Sequence, residues 1–261
     1  MILSKPVVLV TGASRGIGLA VVKSLLEEHG VRVVALARST TPELTQLVDA
    51  HPASLLAISC DVADESAQVQ AFGQAKDKFG PVLDGLILNA GTLDPLTRIG
   101  DSTVPLDAWR HHFDVNFFSL VSALKVALPA LRSSPITGRV IFVSSGAATG
   151  SIPGWAPYNA SKAAMNSLAR TLAKEEPSII SLAIAPGKVD TAMQAVLRST
   201  GDPHMDPSDL KIFLDDHRDG TLVKPSDVGY VIANLALRAP LTLSGSFVRY
   251  NDEHCKEFAR K

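Results

Sequence analysis

The sequence predicts an α/β fold in which one doubly wound parallel sheet of seven strands is flanked by helices. Seven short runs rich in Val, Ile and Leu recur along the 261 residues, the first six of them nearly continuous in apolar residues, and helical patterns fill most of the gaps between them. A strand that is apolar on both faces is covered on both faces. Parallel neighbours also need crossovers long enough to hold a helix, which these spacings provide.

The runs in order are VVLV at 7, VRVVALA at 31, SLLAIS at 54, GLILN at 85, RVIFVS at 139, IISLAIA at 179 and GSFVRY at 245. Helical patterns cover about 17–28, 65–79, 105–131, 157–175 and 226–237. Pro105 and Pro157 each suit a first helical position, and Ser226 with Asp227 gives a cap or first-turn acid after Pro225. Segment 186–224 is rich in Pro, Gly, Asp and His with a weak helical pattern, and is expected to be a substrate lid. No linker, repeat or low-complexity tract divides residues 1–261, so one domain is expected.

A hydrophobic content of 46% supports a sizeable core, and a net charge of −1 gives no basic field for nucleic acid or an anionic membrane. The expectation is a small-molecule partner, with no nucleic acid and no membrane. Cys60 and Cys255 lie far apart without metal-type spacing, as suits a reducing compartment. VVLV is too brief for a signal segment or a membrane span, so a cytoplasmic protein is expected. No HExxH or paired Cys/His set is present, and no metal is expected. His111 and His112 read as packing or surface residues, not bases.

Between the first strand and first helix stands TGASRGIG, comprising Gly12, Ser14, Arg15, Gly16, Ile17 and Gly18. Glycines in such a turn let the backbone approach a pyrophosphate resting at the positive end of a helix. The second strand ends ALARS: Ala37 carries no acid to bind the ribose hydroxyls, Arg38 offers a guanidinium to a 2′-phosphate, and Ser39 adds a hydroxyl. With Arg15 as a second cation this favours NADP(H); the alternative reading of both arginines is solvated surface. In YNASK, Tyr158 and Lys162 stand at i and i+4 on one helix face, where a lone pair is usually a surface feature but also a candidate acid with its cation.

Together with CDV at 60, NAG at 89, Asn116 and SS at 144, these motifs make nearly the whole chain resemble the short-chain dehydrogenase/reductase family. The resemblance implies a Rossmann-like sheet of strand order 3-2-1-4-5-6-7 and a catalytic group of Asn116, Ser145, Tyr158 and Lys162. It further implies that Asp61 contacts adenine beside Val62, and that Asn89, Ala90 and Gly91 line the cofactor. Pro186, Gly187, Val189 and Thr191 would hold the nicotinamide amide. Leu88 departs from the family pattern, where many relatives carry asparagine, with an expected effect on packing only.

GWAPY, DTAMQ, the lid and the tail GSFVRYND resemble sepiapterin reductases and fungal benzil reductases, which reduce one carbonyl of a vicinal dicarbonyl. The implied activity is NADPH-dependent carbonyl reduction. An unrelated alcohol or ketone substrate and a non-catalytic NADP(H)-binding regulator remain open. In this reading Tyr158 gives the proton, Lys162 lowers the phenol's pKa and reaches the nicotinamide ribose, Ser145 holds the substrate oxygen, and Asn116 positions a proton-returning water. Asp252 matches the acid that anchors a pterin, the alternative being a solvated tail carboxylate. Trp155, Met193 and Phe213 are candidates for an apolar pocket wall, with core or lid packing as the alternative. Helices 105–131 and 157–175 resemble those that form family dimers, which makes a homodimer possible.

Overall fold

In the computed structural model, which describes residues 5–260, the seven runs form one all-parallel sheet of order β3-β2-β1-β4-β5-β6-β7. The strands are β1 Val7–Thr11, β2 Arg32–Ala37, β3 Leu55–Ser59, β4 Gly85–Leu88, β5 Arg139–Val143, β6 Ile180–Ala185 and β7 Phe247–Arg249. Alternation at period two explains their continuous apolar character. In β1, Val8 and Val10 join one core while Val7 and Leu9 join the other. In β5, Ile141 and Val143 face the first core, and Val140 and Phe142 the second. Leu88 is buried in the second core, consistent with a packing role.

Helices α1 (Gly16–Lys23) and α9 (Pro225–Arg238) cover one face, with Val21, Val22, Val231, Ile232 and Leu235 in its core. The other face carries α3 (Glu65–Phe79), α5 (Ser119–Arg132) and α6 (Ala156–Glu175), through residues such as Ala71, Leu120, Leu124, Met165 and Leu172. Hydrophobic burial on both faces holds the layers together at about 1.5–3 kcal/mol for each large side chain. The run Leu106–Arg132 is long and apolar enough to cross a bilayer, yet Leu120, Ala123, Leu124, Ala127 and Leu131 are buried within the protein.

Several elements depart from the sequence expectation. Helix α2 (Pro42–Ala50) was not expected, although Thr41 caps it by accepting from Leu44 N at 3.3 Å, with Pro42 at its start. The single helix expected over 105–131 is three pieces: α4 (Leu106–Phe113), a π turn over Asp114–Phe118, and α5. Pro105 is the extended residue that precedes α4, not its first helical residue. Segment 186–224 holds two short helices, α7 (Ala192–Thr200) and α8 (Pro207–Arg218), where its Pro, Gly and Asp content marks it as irregular.

Candidate active site

Every strand from β1 to β6 delivers at least one expected site residue just beyond its carboxyl end. Residues 12–18 follow β1, Arg38 and Ser39 follow β2, Asp61 and Val62 follow β3, and Asn89–Gly91 follow β4. Ser145 follows β5, and Pro186, Gly187, Val189 and Thr191 follow β6. The sheet reverses its order of winding between β1 and β4, and open α/β sheets bind ligands in the crevice at such a point.

The glycine loop is held from beneath by β4. Asn89 Nδ2 donates to Thr11 O at 2.9 Å and to Gly12 O at 3.1 Å, while Thr11 Oγ1 accepts from the backbone N–H groups of Asn89 and Ala90, each at 3.0 Å. Gly12 has φ +65°, and a Cβ there would stand 2.9 Å from Ala90 Cα. A Cβ on Gly18 would stand 2.2 Å from Gly12 O and 2.6 Å from Asn89 Nδ2. The sequence reading missed Thr11, whose only signal is its place directly before the first glycine.

These residues fit a dinucleotide. No side chain caps the start of α1, because Arg15 precedes the helix in extended conformation without a capping bond, so its first N–H groups are free to bind pyrophosphate. Arg15, Arg38 and Ser39 are exposed, and neither guanidinium forms an ion pair with another described residue. Val62 is buried beside the exposed Asp61, whose Oδ1 accepts from Ala63 N at 3.0 Å. Pro186 and Val189 are buried, while Gly187 is exposed and Thr191 half-buried.

On the opposite wall, Tyr158, Lys162 and Ser145 come together. Lys162 Nζ lies 5.6 Å from the Tyr158 ring centroid and donates to Val143 O at 2.8 Å. Burial pushes the Lys162 ammonium down to about 8. Tyr158 is only 8% exposed, and burial pushes its phenol up, opposed by the hydrogen bond with the Ser145 hydroxyl. The Lys162 ammonium is turned to the Val143 carbonyl, with the Tyr158 ring beside it.

Asn116 is fully buried in the π turn, which brings its side chain to Thr92. Its Oδ1 accepts from Thr92 N at 2.8 Å and its Nδ2 donates to Thr92 O at 2.9 Å. A Cβ on Gly91 would lie 3.3 Å from Asn116 Oδ1 and 3.8 Å from Lys162 Nζ, so these two groups flank the same glycine.

A third apolar cluster covers the tyrosine. Trp155 stacks edge-on to Tyr158 at 5.6 Å between ring centroids and lies 5.4 Å from Phe213 of α8. Met205, Leu197 and Leu210 from segment 186–224 complete it with Leu93 and Leu96. Trp155 Nε1 donates to Met205 Sδ at 3.3 Å. Met193 lies outside this cluster and is 38% exposed. Asp252 follows β7, where its Oδ2 accepts from Arg249 N at 2.7 Å and so serves its own turn. Among the described residues no group of His, Cys, Asp or Glu side chains could hold a metal ion, and both cysteines are buried and free.

The sequence matches the short chain dehydrogenase family profile over residues 6–202. It is 41% identical over 254 residues to the (S)-benzoin-forming benzil reductase of Saccharomyces cerevisiae, covering 95% of this chain and 96% of that protein. It is 40% identical over 249 residues to an uncharacterized oxidoreductase of Schizosaccharomyces pombe, covering 95% and 97% of the two chains. The fold superposes on the crystal structure of the YIR035C short chain dehydrogenase/reductase of Saccharomyces cerevisiae with a TM-score of 0.92 at 35% identity, over 98% of this chain and 100% of the other.

Proposed function

The chain belongs to the short chain dehydrogenase family, and on that premise we propose that it is an NADPH-dependent reductase that converts one carbonyl of an α-dicarbonyl to a hydroxy ketone. The observation that carries this reading is the Ser145–Tyr158–Lys162 group, with Tyr158 and Lys162 buried and Ser145 half-buried, beside the aromatic pair Trp155 and Phe213. The similarity to a benzil reductase supports the same substrate class. Arg38 just beyond β2 and Arg15 within the glycine loop, which form no ion pair among the described residues, favour a cofactor carrying a 2′-phosphate.

When bound, the reduced nicotinamide supplies the hydride that converts the carbonyl carbon to a carbinol. Tyr158 donates the accompanying proton to the developing alkoxide. The phenol is protonated at neutral pH and so has a proton to give, and the Lys162 ammonium beside its ring favours releasing it. Ser145 Oγ holds the carbonyl oxygen near that hydroxyl, and the Lys162 ammonium stabilises the phenolate left behind. Asn116 fixes the loop at Thr92 that borders Lys162. Segment 186–224 acts as the lid, opening to admit substrate and closing Met205 and Phe213 over it to exclude water.

A diaryl diketone suits this wall better than a pterin. The Trp155–Phe213 pair would offer aromatic contact to an aryl ring once the lid opens, whereas one oxygen of Asp252, the carboxylate expected to anchor a pterin, is engaged by Arg249 N. The test is NADPH oxidation against benzil, other vicinal diketones, sepiapterin and simple aldehydes, with NADH as cofactor control. Preferential NADPH-dependent loss of the diketones is expected. Equal use of NADH, or turnover confined to simple aldehydes, would overturn the assignment.

A further inference from the structure

His112 is fully buried on α4, one helical turn before Asn116, and its two ring nitrogens meet different partners. Nδ1 lies 2.7 Å from Asp94 O. A carbonyl only accepts, so Nδ1 carries the hydrogen. Nε2 is left as an acceptor, and it faces Asn116 Nδ2 at 2.9 Å and Ser161 Oγ at 3.0 Å.

The orientation of the Asn116 amide is fixed independently. Thr92 N must donate to Oδ1 and Thr92 O must accept from Nδ2, which assigns the two ends of the amide without reference to the histidine. One N–H of Nδ2 remains, and it points at His112 Nε2. Ser161 stands between Tyr158 and Lys162 in sequence; its one hydroxyl hydrogen goes to Tyr158 O at 3.0 Å, and its Oγ accepts from Asn116 Nδ2 at 3.3 Å. The imidazole therefore touches both the Asn116 clip and the turn of α6 that presents the candidate acid and its cation. Its ring also stands edge-on to Tyr158 at 6.3 Å.

The geometry points to His112 as a positioning residue that, as a neutral imidazole with its hydrogen on Nδ1, orients Asn116 between the Thr92 loop and Ser161 of the Tyr158–Lys162 turn. It touches neither the reacting carbonyl nor the hydride path. Protonation at Nε2 would turn its N–H to Ser161 Oγ and remove the acceptor from Asn116 Nδ2, an amide that cannot flip without losing both Thr92 bonds.

Burial holds His112 below its ordinary 6.5. Lys162 from α6 and His111 from α4 act in the same direction, and the Asp94 carbonyl and carboxylate from the preceding loop oppose them. Since the folded value is depressed, the neutral form is fully populated above pH 6.5. Folding stability loses this contribution as the pH falls from 6.5 through the depressed folded value, and turnover loses it as the pH falls through that folded value.

The role rests on the reductase reading only for its kinetic test. In that test, His112→Phe keeps the ring and removes the acceptor, and kcat for a carbonyl that the wild type reduces should fall about tenfold or more with cofactor Kd and KM little changed. His112→Gln restores an acceptor that does not titrate, so most of kcat should return while the acid limb of the kcat–pH profile weakens. Unaltered kcat in His112→Phe, or a wild-type acid limb in His112→Gln, would overturn the role. Nitrogen-15 NMR of the wild-type imidazole tests the tautomer without any turnover. A neutral ring with hydrogen on Nδ1 at pH 7 is expected, and hydrogen on Nε2 or on both nitrogens would refute the assignment even if the substrate class proved wrong.

Discussion

The two walls of the crevice are made differently. On the side of β1, β2 and β4 the surface is largely backbone: a glycine loop clipped to β4 by Asn89 and Thr11, and a helix start left without a side-chain cap. On the side of β5, α6 and α8 the surface is side chain: Lys162 against Tyr158, Tyr158 against Trp155, and Trp155 against Phe213. Backbone recognises what every dinucleotide shares, its pyrophosphate. Side chains can select one carbonyl compound from another, and a shared cofactor with divergent substrates follows from that division.

Substitutions on the two walls should therefore fail in different ways. The largest effect is expected from Tyr158→Phe, which removes the proton donor and keeps the ring. Turnover should drop roughly a hundred- to ten-thousand-fold, while titration calorimetry finds NADPH binding intact. Loss of cofactor binding in this variant would blur the distinction between the walls.

Gly18→Ala attacks the other wall. Its new methyl group would meet Gly12 O and the Asn89 amide well inside contact distance, so either the loop or its clip must move. A loss of about 1–3 kcal/mol in unfolding free energy is expected, together with weakened binding of both NADPH and NADH. Arg38→Asp leaves the loop intact and places an acid where a 2′-phosphate would sit. It should change the NADPH-to-NADH preference by about ten- to a hundred-fold, the equivalent of one charge-assisted hydrogen bond. An unchanged preference would put phosphate recognition elsewhere on that wall.

The smallest effect is expected from Phe213→Leu, which removes one aromatic partner of Trp155 and keeps apolar bulk. The kcat/KM for a diaryl diketone should fall by about two- to tenfold, in line with an aromatic contact of about 0.5–1.5 kcal/mol, and that for a small aldehyde should stay level. Equal losses for both substrates would show that Phe213 seals the site without choosing what enters it.

The same division explains what could be read from the sequence. Strand order, the glycine loop and the strand-end clusters follow from local patterns, because a parallel strand buried on both faces and a turn rich in glycine leave their marks within a few residues. Helix α2 follows a usable TTPE start signal, and α7 and α8 are short helices in a segment whose Pro, Gly and Asp content marks it as irregular. The π turn that interrupts 105–131 left no mark that was read. His112 looked like a packing residue because its partners, Asp94 and Ser161, are 18 and 49 positions away. Trp155 and Phe213 were candidates one by one; only the folded chain shows them as a pair, with Met205 beside them and Met193 apart.

The most direct test of the central claim is to isolate the product formed from benzil with NADPH deuterated at the transferable C4 position. The account predicts benzoin with one carbonyl intact and deuterium on the carbinol carbon, formed at a much lower rate with NADH. Tight NADPH binding with no benzoin, or benzoin without the label, would contradict it.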